Sequence, residues 1–97
     1  MEWKDTTSYS QSDKERIPRS WTIKSVELSI TVHRHRDYDK DVWLLSCVNL
    51  HIDCKQLGNK DIELAKNEAL NYVASYINIL SSEINLMIEE TNNETRN

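Results

Sequence analysis

The residues best suited by type to do chemistry are the run His33-Arg34-His35-Arg36 and, further on, Cys47 and His51. Two histidines two apart on an extended strand share a face and offer imidazole nitrogens to one zinc or copper ion. A site needs a third ligand. If residues 21–36 and 42–55 form two long strands, His51 stands ~20 Å away along them, and only Asp37 or Asp39 could substitute. Histidines at the solvent-facing end of a strand need no metal, so neither a metal site nor a cofactor is expected. Cys47 and His51 are nucleophile and base by type, but four positions along one strand face separate them by ~13 Å, outside hydrogen-bond reach. A single glycine in 97 residues leaves no material for a Gly-rich phosphate loop or a Gly-x-Ser-x-Gly elbow. Catalysis is not expected.

The same run is a basic cluster at a hairpin tip, and such tips can enter a nucleic-acid groove. Asp37, Asp39 and Asp41 follow immediately and would oppose phosphate. Charge elsewhere argues the same way. The net charge is −4: residues 1–20 hold four basic and four acidic groups, residues 21–60 six and five, residues 61–97 two and seven. An acidic C-terminal third suits a basic protein surface better than it suits phosphate. Nucleic-acid binding is therefore the second expectation, behind a protein partner.

Trp43 and Leu45, with Cys47, fall on the strand face opposite the one expected to take a helix. An apolar patch on an outer sheet face marks a contact surface, and Trp beside Arg is typical of binding hot spots. The expected partner-binding set is Trp43, Leu45, His33, His35, Arg34 and Arg36. On this expectation Trp43→Ala abolishes partner binding and leaves the fold intact; the equal alternative is that the N-terminal tail folds over the patch through Trp3 or Tyr9, in which case the variant unfolds.

The elements that must position these residues follow from periodicity. In residues 21–36, Val26, Leu28, Ile30 and Val32 alternate with polar residues, the pattern of a half-buried strand. Trp21 and Ile23 have the opposite parity, so a bulge or bend falls near Lys24–Ser25. A charged turn at Asp37–Asp41 leads to a second alternating stretch, 42–55. Centring the turn on Asp39 pairs residues whose numbers sum to 78, with Leu28 facing Leu50 and Ile30 facing Val48. Cys47 and Cys54 would then lie ~23 Å apart on one strand, as free thiols.

From Asn59, the expected N-cap, the period changes to that of a helix running to about Glu90 without Pro or Gly. Its apolar sector spans roughly 200°, twice what packing on one surface needs. A hairpin under one helix is also thin for a stable monomer. The expected assembly is therefore a homodimer, formed either by two hairpins joining into a four-stranded sheet or by two helices packing along their spare apolar flanks, with Tyr72, Tyr76, Ile79 and Leu86 as the dimerisation residues. The fold class is α+β: an antiparallel hairpin, with room for an N-terminal strand, packed on one long C-terminal helix. The expected organisation is a polar tail or edge segment at 1–20, a ββα domain at 21–90 and a frayed end at 91–97. No apolar run is long enough to span a membrane and no signal-peptide core is visible, so a cytoplasmic location is expected.

The stretch Trp3-Lys-Asp-Thr-Thr-Ser-Tyr-Ser, continuing through Asp13-Lys-Glu-Arg-Ile-Pro18 to Trp21, resembles the openings of small accessory proteins of phages and mobile elements. Val32-His33, Asp41-Val-Trp43, Leu50-His-Ile-Asp53, Leu57-Gly58 and Ala65-Lys-Asn-Glu-Ala69-Leu70 extend the resemblance over about residues 2–75. It implies a non-catalytic protein that binds and blocks a host defence complex, as anti-CRISPR inhibitors do. It also implies that the N-terminal segment belongs to the fold.

Overall fold

The computed structural model describes residues 1–10, 16–35 and 41–96, with side chains through residue 94. The chain is α+β. Five short strands, β1 (Lys4–Asp5), β2 (Ser20–Lys24), β3 (Ser29–His33), β4 (Leu44–Cys47) and β5 (Ile52–Gln56), form an antiparallel meander in chain order. One helix, α1 (Ile62–Arg96), packs across it. Each of the two long strands expected from the alternation is a hairpin. The parity slip near Lys24 is the β2–β3 turn, where Ser25 and Leu28 bond to each other and Val26 stands 98% exposed at the tip. The stretch 42–55 breaks at a 3-10 turn, Val48–Leu50, and reverses through His51 at φ 56°. The first break shows in the sequence only as that parity slip, and the second escapes periodicity because Val48 keeps the alternation while pointing at solvent.

The register also differs, and the consequence is large. Val32 faces Leu45 and Thr31 faces Ser46, so paired numbers sum to 77 rather than 78. A one-residue slip moves every side chain of a strand to the other face of the sheet. Trp43, Leu45 and Cys47 therefore join Ile30 and Val32 beneath the helix, and Leu44 and Ser46 turn the other way. The turn expected at Asp37–Asp41 falls largely outside the described residues. The cysteines sit on neighbouring strands instead of one, both free, with Cys47 in the core.

The N-terminal segment is part of the sheet. Lys4 pairs with Thr22 and Asp5 with Trp21. Thr7 Oγ1 accepts the amides of Arg19 at 2.8 Å and Ser20 at 3.1 Å, and Trp3 packs on the core. A strand partner for β2 outweighs the polar composition of these ten residues, since β2 would otherwise expose its edge.

Asp61, rather than Asn59, caps the helix: its carboxylate accepts the Leu64 amide at 3.1 Å and its carbonyl the Ala65 amide at 2.8 Å. Asn59 is held by Glu68, whose carboxylate also takes the Gly58 amide. Small side chains at Ala65 and Ala69 let the helix settle on Val32, Leu45 and Trp43, with Val73 closing the row. The helix does not fray at residue 90 but continues to Arg96, 35 residues in all.

Candidate functional site

The expected partner-binding residues are mostly structural. Trp43 is 3% exposed, and its indole N–H donates to the Lys60 carbonyl at 2.9 Å, tying β4 to the approach of the helix. Leu45 is fully buried. Both are corrections to the outer-face reading, and the register slip is the reason. The Arg34 guanidinium lies 4.2 Å from the Trp43 ring centroid, so it lids the core and is not extended toward a ligand. His35 is exposed, while Arg36 lies outside the described residues.

His33 is half-buried on the outer face, where its Nε2 is 2.8 Å from Ser46 Oγ. Burial lowers its pKa from the ordinary value, and the neighbouring His35 adds to that. Ser46 Oγ also accepts the amide of Cys54, a residue at φ 49°, at 3.1 Å. A serine beside an imidazole is the start of nucleophilic chemistry. Here the hydroxyl ties β3, β4 and β5 together where the ladder shifts between Leu45 and Cys47. It continues a row of side-chain hydroxyls, with Thr6 bonded to Thr22 and Thr22 to Thr31. Cys47 and His51 stay apart, one fully buried and the other exposed at a turn. Among the described residues, no group of three His, Cys, Asp or Glu side chains is placed to hold a metal ion.

The surface without a structural explanation is the second half of the helix. Val73 is the last buried helix residue, and beyond it every residue through 94 is exposed except Tyr76, which is partly buried. At 1.5 Å per residue the helix runs about 30 Å past the sheet, which gives the molecule its 69 Å long axis against 26 and 21 Å. The side chains there are not those of a solvated helix. Ile77, Leu80, Ile84 and Met87 are 40–56% exposed. At 100° per residue they fall within about 80° of arc, centred on the direction of Val73. The face that packs on the sheet thus continues beyond it, and no described residue covers it.

Tyr72, Ile79 and Leu86 form a second, thinner strip about 120° round the helix, and there Tyr72 already receives Lys55 of β5 at 5.3 Å. The expected dimerisation residues pick out mainly this second strip. The continuous one lies within the same ~200° apolar sector, its signal being apolar residues at alternating spacings of three and four from Leu70 to Met87. The projecting half also carries Glu83, Glu89, Glu90 and Glu94. Among the described residues, no helix is long and apolar enough to cross a membrane. No protein-family model, curated protein or solved structure matches this chain.

Proposed function

We propose that this chain is a non-catalytic protein-binding module: a small five-stranded head that holds a projecting helix whose apolar face receives another polypeptide. The observation that carries the reading is the run Ile77, Leu80, Ile84 and Met87, a core-type face continued past the sheet that begins it. Water-exposed apolar side chains in one continuous strip lower their free energy by being covered. A helix laid against another chain by i, i+3, i+4 and i+7 anchors is a recurrent mode of protein recognition. In the setting that the resemblance implies, the module acts as a mobile-element accessory protein and occupies a surface of a host defence complex.

A photo-crosslinking residue at position 84, compared with one at Asn85 on the polar side, tests this directly. The reading requires adducts to polypeptide from position 84 in cells and few from position 85. Adducts to nucleic acid, or equal labelling from both positions, would overturn it.

A further inference from the structure

We propose that the occupant of this face is a second copy of the chain, its helix running antiparallel to the first. The inference rests on reading the helix as a protein-binding surface and names the partner. Val73, Ile77, Leu80, Ile84, Met87 and Thr91 recur at spacings of four and three, the repeat by which two helices pack knobs into holes. A repeat of this kind fits another copy of itself. The surface already has the shape such packing needs. Ile84, Met87, Ile88, Thr91 and Asn92 line a shallow depression, and the first four, at i, i+3, i+4 and i+7, have the spacing of a hole that takes a knob.

The area is sufficient. Ile77, Leu80, Ile84, Met87 and Ile88 each have on the order of 100 Å² left to bury, so two copies together remove on the order of 1,000 Å², the threshold of a specific interface. No charged residue interrupts the strip from Leu70 to Thr91, and the nearby glutamates flank it. A contact made on this strip is therefore apolar and does not depend on a basic partner.

The sheet decides the orientation. It occupies this same face of the helix as far as Val73. Helices pack 8–10 Å apart, while a sheet on a helix needs about 10 Å of its own. Two copies running parallel would bring both sheets into the space between the helices. Run antiparallel, each free helix end slides up to the edge of the other copy's sheet, and residues 77–94 of the two copies overlap. Ile84 of one copy then meets Met87 of the other, and Leu80 meets Thr91.

Sedimentation of the full chain at tens of micromolar, together with Ile84→Glu and Ile79→Glu, tests the pairing. The wild type and Ile79→Glu should sediment as dimers, and Ile84→Glu as a monomer with unchanged tryptophan fluorescence. A wild-type monomer, or an Ile84→Glu dimer, would overturn the proposal. Orientation is read by disulfide trapping. Leu80→Cys mixed with Thr91→Cys should give a linked dimer that neither variant gives alone; linkage in each variant alone would mean a parallel pair and defeat the antiparallel assignment. A monomer whose position 84 crosslinks to a different protein would remove the second copy and leave the protein-binding reading standing.

Discussion

The Lys66 ammonium lies 4.1 Å from the centre of the Trp21 ring and 5.7 Å from that of Trp3, on a residue only 6% exposed. A lysine on the core face of a helix reads as a flaw in the apolar pattern. In the fold it joins three elements: α1 supplies the cation, β2 one ring, and the segment leading into β1 the other. Its anionic partner Glu63, at 3.2 Å, is itself exposed and adds little. The rings therefore carry the stabilisation of the charge, with the aliphatic stem packed between them.

Lys66→Met keeps the stem and removes the charge. It is expected to lower stability by about 1–2 kcal/mol, the worth of a desolvated cation–π contact. Lys66→Ala, which also opens a cavity, should cost more. Urea unfolding followed by tryptophan fluorescence measures both. A Met variant more stable than wild type would mean that desolvation of the ammonium outweighs its attraction to the rings.

Trp43→Ala separates the fold from the sequence-based expectation. The expectation makes Trp43 a dispensable contact residue. The structure makes it a core residue, with its N–H on the Lys60 carbonyl and Arg34 over its ring. Removing a buried aromatic costs about 3–5 kcal/mol, a large fraction of what a domain of this size has. The variant should be unfolded or close to it by circular dichroism at 25 °C. A folded Trp43→Ala that melts near the wild-type temperature would contradict the observed register.

Parts of this architecture can be read from residue types alone and parts cannot. The long helix is legible, since its period survives from Ile62 to Met87, and so is the α+β class. The hairpins are legible only in part, because the parity slip near Lys24–Ser25 marks the first turn, whereas Val48 preserves the alternation through a turn that exposes it. The β3–β4 register turns on one residue in a connection centred near Asp39, and alternation fixes parity within a strand but not the length of the link between strands. Trp43 and Leu45 passed from core to surface on that one unit. The helix cap was legible in kind, as an Asx residue ahead of an apolar run, but Asp61 took the place given to Asn59 because Glu68 holds Asn59 by two hydrogen bonds and the Gly58 amide beside it, which no linear pattern reveals.

Glu68 is the second test of these local structures. One carboxylate takes the amides of Gly58 at 2.8 Å and Asn59 at 3.0 Å and the side-chain amide of Asn59 at 2.7 Å. Glu68→Ala leaves those donors unsatisfied and should cost about 1–3 kcal/mol. Glu68→Gln retains an acceptor oxygen and should recover part of the loss. Amide exchange at Gly58 and Asn59 is the local readout. Exchange there unchanged in the Ala variant would show that the loop is held by other contacts.

His33 gives the outer face a pH dependence. Its folded-state pKa is lowered, first by burial and then by His35, so the folded chain binds that proton less readily than the unfolded chain does. Stability from this source is whole above the ordinary value of 6.5 and declines as pH falls from there through the lowered value. Asp5, its carboxyl lowered by hydrogen bonds from Thr7 and Tyr9, adds a second decline below 3.8. Thermal melts between pH 7.5 and 5 should fall for the wild type and flatten in His33→Gln. Equal slopes in the two proteins would assign the effect to other groups.

Salt distinguishes the partners open to an acidic projecting helix. A basic protein or a nucleic acid held by Glu or by Arg34 loses affinity as salt rises, because the attraction is screened. Two antiparallel copies of this helix instead bring Glu83 of each near Glu89 and Glu90 of the other, so screening removes a repulsion while the apolar contact remains. Self-association should tighten several-fold between 0.05 and 0.5 M NaCl, measured by sedimentation equilibrium at a fixed pH. A dissociation constant that rises with salt over that range would mean that opposite charges hold the assembly together, and the apolar strip from Ile77 to Met87 could not then be its principal contact.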